Sequence, residues 1–236
     1  MDRVQVVMGL SGGMDSATLL GYLLEKEMEV ICCTFDYGST HGKYEMEAAE
    51  KVINFYSMIY GSMIYGGRVR RLKIDMTKIF PYFSSSLLVA SGREIPEGNY
   101  DDDNMKQTVV PGRNLIFASI MAGLAESLGA QKVALGVHSG DHHIYPDCRT
   151  EFVKALDTTV YLSSDRKVEV IAPFLNLNKA DILNVGYSLQ IPVPYHLTRT
   201  CYKNQPVSCG KCGSCTERLE AFAKIGKKDP IPYTRA

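Results

Sequence analysis

No tryptophan occurs in the 236 residues, and Lys+Arg and Asp+Glu both stand at 26, so the chain carries no surplus charge of either sign. A protein whose main partner is nucleic acid usually needs a basic surplus to neutralise phosphates, so no nucleic-acid partner is expected. The local basic cluster Arg68, Arg70, Arg71 and Lys73 reads as a solvated strand edge. Long apolar runs are missing too. None reaches the ~18 residues that suggest a bilayer span, and the N-terminus opens on a strand pattern instead of a signal peptide. A cytoplasmic protein without a membrane partner is the expectation. Cysteine spacing typical of disulfides is also absent: four of the seven cysteines crowd into residues 201–215, a density that favours a metal over bridges in a reducing compartment. At 45% hydrophobic content the chain can bury a sizeable core, which points to one large domain with an appendage, divided at 1–196 and 197–236.

The stretch that organises the rest is VQVVMGLSGGMDSATLL, residues 4–20. Val4, Val6, Val7 and Leu10 read as a buried strand, and Ala17, Leu19, Leu20, Leu23 and Leu24 as the core side of a helix entered at about Ser16. Between them, Gly12 and Gly13 let the backbone turn sharply and bring its amides close to an anion. Ser11 and Ser16 add hydroxyls, and the helix start adds its positive dipole end. Asp15 belongs in a phosphate cradle only if a divalent cation sits between carboxylate and phosphate. The loop therefore asks for phosphate and Mg2+. It lacks the lysine of a Walker A loop, and a plain Gly-Gly turn is its bland alternative.

Further along, VICCTF (30–35) reads as a second buried strand leading into DYGSTH, then a helix over about 43–55. In an open α/β sheet the ligand crevice lies beyond the carboxyl ends of the strands, so Asp36 to His41 should face the same crevice as the glycine loop. Cys32 and Cys33 read as core packing. SMIYGSMIYG (57–66) is a tandem copy that lengthens a helix end or loop and carries no chemistry. RLKID (71–75) fits a strand, and 91–107 a long loop in which Asp101, Asp102 and Asp103 are solvated. Residues 108–130 give a turn at Pro111 and Gly112 and then a helix whose first residues, Arg113 and Asn114, suit phosphate oxygens or a carboxylate. KVALGV (132–137) is another buried strand. The polar run after it, with His138, Asp141, His142, His143, Tyr145, Asp147, Cys148 and Arg149, reads as the wall of a pocket for a polar ligand. VEVIAPF (168–174) is the last strand, and Asn178 caps a helix that starts at Lys179, a residue that either reaches phosphate or stands exposed. Together these elements predict an open, mostly parallel twisted sheet with helices on both faces, plus a small C-terminal helical appendage holding four cysteines.

Cys201, Cys209, Cys212 and Cys215 suit a tetrahedral, closed and therefore structural Zn2+ site; an iron–sulfur cluster is the rival occupant. The segment is too poor in base, with Lys203, Lys211 and Arg218, to read as a nucleic-acid-gripping ribbon.

SGGMDS resembles the PP-loop of ATP pyrophosphatases, which split ATP between its α and β phosphates. With DYGSTH, VPGRN, YPDCRTEF and CYKNQPVSCGKCGSC in order and at similar spacing, nearly the whole chain resembles the QueC family. That resemblance implies a fold of the PP-loop, adenine nucleotide α-hydrolase-like type, and a carbon–nitrogen ligase. ATP would activate the carboxylate of 7-carboxy-7-deazaguanine, ammonia would form the amide, and a second activation would dehydrate it to the nitrile, 7-cyano-7-deazaguanine, in queuosine biosynthesis. By the same resemblance, Met8, Gly9, Leu10, Ser11, Gly12, Gly13, Asp15 and Ser16 bind nucleotide, and Asp15, Ser16, Lys179 and Arg113 are catalytic. Asp36, Tyr37, His41, Arg113, Asn114, Asp141, Tyr145, Asp147 and Arg149 line the substrate, Asp147 offering its carboxylate to the deazaguanine edge. A homodimer is implied as well. Two positions depart from the family pattern. DYGQRH becomes DYGSTH at Ser39 and Thr40, and the tryptophan before the first zinc cysteine becomes Arg199. The alternatives are a variant that stops at the amide, another PP-loop adenylating enzyme that modifies tRNA, and a zinc-ribbon module with a vestigial loop.

Overall fold

In the computed structural model, residues 3–62, 67–98 and 103–234 are described. Five strands, β1 (Gln5–Gly9), β2 (Glu29–Asp36), β3 (Val69–Asp75), β4 (Lys132–Ala134) and β5 (Glu169–Ile171), form one sheet in the order β3-β2-β1-β4-β5. Every pairing in it is parallel, with Val7 opposite Ile31 on one side and Val133 on the other. The expected fold class is the observed one.

Alternation along the strands decides which helix goes where. Val6, Met8, Val30 and Cys32 point to the face covered by α1 (Met14–Glu25), α2 (Gly42–Tyr60), α5 (Lys179–Ser188) and α6 (Gly213–Lys224). Val7, Ile31, Cys33 and Val133 point to the opposite face, under α3 (Arg113–Leu128) and α4 (Thr150–Ser163). Strands buried on both faces read as continuous apolar runs, which is why Cys32 and Cys33 both lie in the core.

The strand order reverses between β1 and β4, and this switch point opens a crevice beyond their carboxyl ends. The last two strands are shorter than their apolar runs. Leu135 makes the last ladder bond, its amide donating to the Ile171 carbonyl at 2.9 Å, Gly136 and Val137 continue along the crevice, and Pro173 has no N–H to extend β5. The helix at the glycine loop begins at Met14, two residues earlier than expected, with Gly13 extended in front of it. Helix α5 starts as expected. Asn178 and Asp181 exchange side-chain to backbone bonds of 3.0 Å in a capping box.

The first SMIYG copy ends α2, with Gly61 at its C-cap; residues 63–66 of the second lie outside the described residues, as do Asp101 and Asp102. The stretch Met105–Leu128 is apolar enough to cross a membrane by composition. It is broken at Gly112, whose φ is +63, so α3 itself has 16 residues, about 24 Å against the ~30 Å of a bilayer core, and Ala118, Met121 and Ala125 pack on the sheet.

The C-terminal segment is tied into this body. Ala221 and Phe222 of α6 join the core on the α1 face. Arg218 is fully buried, and its five N–H groups reach Asp229 Oδ1 and Oδ2, Thr198 Oγ1, Thr200 Oγ1 and the Tyr195 carbonyl at 2.7–3.1 Å. It is a structural cation and takes no part in surface charge.

Candidate active site

Gly12 lets the glycine loop sit where it does. Its φ is +80, and a Cβ there would lie 2.4 Å from the Ala49 amide nitrogen, so only glycine brings the loop against α2. The Arg199 amide donates to the Gly12 carbonyl at 2.9 Å, holding the loop from the other side. Gly13 N–H donates to Ser11 Oγ at 3.2 Å, and the Ser11 and Ser16 hydroxyls lie 3.2 Å apart. Two hydroxyls and a helix start thus point into one space.

Asp15 stands at the loop's edge with its two oxygens in different surroundings. Oδ2 lies 3.5 Å from Lys179 Nζ and 3.9 Å from His138 Nε2. Oδ1 is buried and has no hydrogen-bond partner among the described residues. A buried carboxylate oxygen left unmatched in this way fits a hard divalent cation arriving with a phosphate.

Lys179 also pairs with Glu217 of α6. Burial works against its charge, but the Asp15, Glu217 and Asp141 carboxylates outweigh it and hold the ammonium well above its ordinary range. Glu217 moves upward because it is buried, against the pull of Lys179. His138 Nδ1 accepts the Gly140 amide at 3.1 Å, so its proton resides on Nε2, which faces Asp15 and Asp141, the latter at 3.5 Å.

The crevice extends away from the loop along an aromatic wall. Tyr37, Phe117, Tyr145 and Tyr202 line it together with Arg113, whose NH1 group reaches Tyr37 Oη at 3.4 Å. Glu45, one turn after His41 on α2, also lines it. Its Oε2 accepts Ser39 Oγ at 3.3 Å and lies 3.4 Å from His41 Nε2. Burial would raise this carboxyl, but His41, Arg113 and Ser39 together hold it below its ordinary range.

Of the residues singled out from sequence, Gly9, Leu10, Ser11, Gly13, Asp15, Ser16, Tyr37, His41, Arg113, Asn114, Asp141, Tyr145 and Lys179 share this crevice. Met8 lies in the core below it, and Gly12 supports it from behind. Asp36 folds back to accept the Gly38 amide at 3.2 Å. Asp147 Oδ2 accepts the Asn114 amide at 2.9 Å, bonding at the start of α3, and Arg149 Nε donates to the His142 carbonyl at 2.9 Å. These three face their own chain and not the crevice. Cys148 does line it, but burial pushes its thiol far up, which argues against a thiolate nucleophile.

Sequence reasoning missed Glu45 and Glu217. The i, i+4 spacing of His41 and Glu45 on an evident helix was a usable signal. Glu217 gave none, since only tertiary packing brings α6 to Lys179. Arg199 extends between the loop and the cysteine segment. Its guanidinium lies 4.5 Å over the Tyr44 ring and donates to the carbonyls of Lys203, Gln205 and Pro206 at 3.0, 2.6 and 3.2 Å.

Beside the crevice, the sulfurs of Cys201, Cys209, Cys212 and Cys215 lie within 4.8 Å of one another, all four residues buried. Cys209 and Cys215 sulfurs are 3.9 Å apart, close to the ~3.8 Å that tetrahedral bonds of about 2.3 Å require, and far beyond a disulfide. The Lys203 and Cys209 amides approach Cys201 Sγ, and those of Lys211 and Cys212 approach Cys209 Sγ, at 3.3–3.4 Å. Converging sulfurs with amide donors fit a metal ion.

A family model described as queuosine biosynthesis protein QueC matches residues 5–226. The 7-cyano-7-deazaguanine synthase of Caldicellulosiruptor bescii is 45% identical over 230 residues, covering 98% of this chain and 97% of the relative. The proteins of that name from Marinomonas sp. and Archaeoglobus fulgidus are 43% and 45% identical over 229 residues, in each case 97% of this chain, and 98% and 90% of theirs.

Proposed function

The chain belongs to the QueC family, and on that premise we propose that its crevice converts 7-carboxy-7-deazaguanine, ammonia and ATP to 7-cyano-7-deazaguanine. The observation that carries this reading is the joining, in one crevice, of the Ser11–Ser16 loop with an aromatic, arginine-bearing wall. The loop suits a pyrophosphate leaving group and the wall suits a planar heterocycle carrying a carboxylate.

The chemistry follows from leaving groups. Ammonia cannot expel oxide from a carboxylate, so a carboxylate oxygen attacks the α phosphorus of ATP, the bond to the β phosphate breaks, and pyrophosphate leaves. Ammonia then adds to the acyl carbon and AMP departs with loss of a proton, leaving the amide. A second ATP adenylates the amide oxygen with release of a second pyrophosphate, and loss of both nitrogen protons and of AMP gives the nitrile. No step needs a covalent nucleophile from the protein, in keeping with the raised thiol of Cys148.

In this reading Ser11, Gly12, Gly13 and Ser16 bind the departing pyrophosphate, and Lys179 neutralises its growing charge. Asp15 Oδ1 would hold Mg2+, which when bound screens the phosphates from the carboxylate. Arg113 steadies the two reacting anions against each other. Zn2+ in the four-cysteine site would hold the 197–236 segment on the 1–196 unit and keep Glu217 beside Lys179. We take the protein as a cytoplasmic homodimer. The seven unpaired cysteines support the reducing compartment, and sedimentation tests the dimer.

Incubation with the carboxylate, ammonia, Mg2+ and ATP, followed by mass spectrometry, tests the function. The expected result is the nitrile with two AMP per product. Amide alone with one AMP would support a shortened reaction, and AMP release that requires tRNA would overturn the reading.

A further inference from the structure

Among the described residues three carboxylates open on the crevice: Asp15, Asp141 and Glu45. The first two belong to the phosphate end, where Asp15 engages Lys179 and His138, and Asp141 engages His138. Glu45 is differently placed. Its side chain keeps 20% of its exposure in a wall otherwise closed by Tyr37, His41 and Tyr202, so it opens on the cavity instead of packing away. Both of its protein contacts, Ser39 Oγ and His41 Nε2, fall on Oε2, and Oε1 has no partner among the described residues. His41 is in turn held by the Thr40 hydroxyl at 3.3 Å, and that hydroxyl donates to the Tyr202 carbonyl at 3.0 Å. The carboxylate is thus braced from behind and presents an oxygen forward.

Resting on the function proposed above, we propose that Glu45 reads the pyrimidine edge of the deazaguanine, accepting its ring N–H and exocyclic amine, with Ser39, Thr40 and His41 as the residues that position it. A guanine-type edge offers two adjacent donors, which match the two lone pairs of the forward Oε1, Oε2 being held by Ser39 and His41. An adenine-type edge offers an acceptor and one donor, leaving a buried carboxylate oxygen facing a ring lone pair, and would be rejected. Asp147, by contrast, accepts the Asn114 amide and does not line the cavity. The low-lying titration of Glu45 agrees with a group kept as an acceptor. Ser39 and Thr40 then act as a pair of small hydroxyls, the first donating to Glu45 and the second fixing His41.

The test uses the full-length, metal-loaded protein and measures substrate-dependent pyrophosphate release. Its substrates are 7-carboxy-7-deazaguanine and the analogue lacking the 2-amino group. The wild type should prefer the complete substrate by about 100-fold in kcat/KM, the scale of one lost hydrogen bond to a charged group. In Glu45→Gln that preference should fall below about 5-fold. The loss should appear in KM for the heterocycle while KM for ATP stays within about twofold, and an unchanged circular dichroism spectrum and Tm certify folding. Asp147→Asn runs alongside. If Asp147→Asn erases the preference and Glu45→Gln keeps it, the assignment to Glu45 is overturned. If the wild type releases no pyrophosphate with either heterocycle, the proposed function fails, a result separable from failure of the Glu45 assignment alone.

Discussion

Arg199 joins two parts of the molecule that are 187 positions apart in sequence: its amide bonds the Gly12 carbonyl at 2.9 Å. Its guanidinium lies over Tyr44 and bonds the carbonyls of Lys203, Gln205 and Pro206. The residue therefore braces the phosphate loop against the cysteine segment. Arg199→Ala keeps the backbone bond but strands three carbonyls and removes the cation–π contact, a loss of about 2–3 kcal/mol. Thermal unfolding should move down by about 5–10 °C for a chain of this size, and KM for ATP should rise as the loop loosens. An unchanged Tm would show that water replaces the guanidinium without cost.

Gly12 should be replaceable by nothing larger. Gly12→Ala meets both a left-handed backbone and a contact of 2.4 Å with the Ala49 amide nitrogen, whereas Gly226→Ala, with φ +66 and nothing within 4 Å of the added carbon, meets only the backbone cost. The second variant should lose about 1 kcal/mol in urea unfolding. The first should lose clearly more, and pyrophosphate release with it. Equal losses would mean that α2 yields and the close approach is not a constraint.

For Lys179 the sign of the pH effect is fixed by the direction of its shift. An ammonium raised above its ordinary 10.5 contributes stability that is complete below that value and lost only as pH rises through the still higher folded value. The rate profile between pH 6 and 9 should therefore show no limb from Lys179. Lys179→Met should lower kcat by roughly 100-fold or more, since the departing pyrophosphate then loses its ammonium while Asp15 Oδ2 and Glu217 lose the charge that pairs them. A variant within threefold of wild type would remove Lys179 from the transition state.

Much of this was legible in the chain itself, because local chemistry and tertiary structure agree there. The glycine loop, the apolar runs of the individual strands, the Asn178 cap and the four cysteines each depend on residues near one another in sequence. Apart from Glu45, whose local spacing with His41 was there to read, what escaped was set by distance along the chain. Glu217 matters because α6 packs beside α5, and Arg199 because a loop returns to Gly12; neither has a local signature. Asp147 shows the converse case. It sits in a polar run that looks like a pocket wall, yet the unsatisfied amides at the start of α3 compete for its carboxylate.

Removal of the metal should expose the link between the cysteine site and the crevice. In the loaded protein all seven cysteines are buried, so a thiol reagent should titrate close to none under native conditions. Chelation should release four, Cys201, Cys209, Cys212 and Cys215, while Cys32, Cys33 and Cys148 stay shielded until unfolding. The metal released should be zinc, with neither visible absorption nor acid-labile sulfide. Because α6 begins at Gly213, between two of these cysteines, its first turn should fray once the sulfurs repel one another, and Glu217 opens the turn that follows it. Lys179 then loses its partner and Asp15 its fixed neighbour, so ATP affinity should fall about tenfold before the sheet unfolds, as read by nucleotide titration of the chelated protein. Four released thiols with unaltered ATP binding would show that the cysteine site supports only itself.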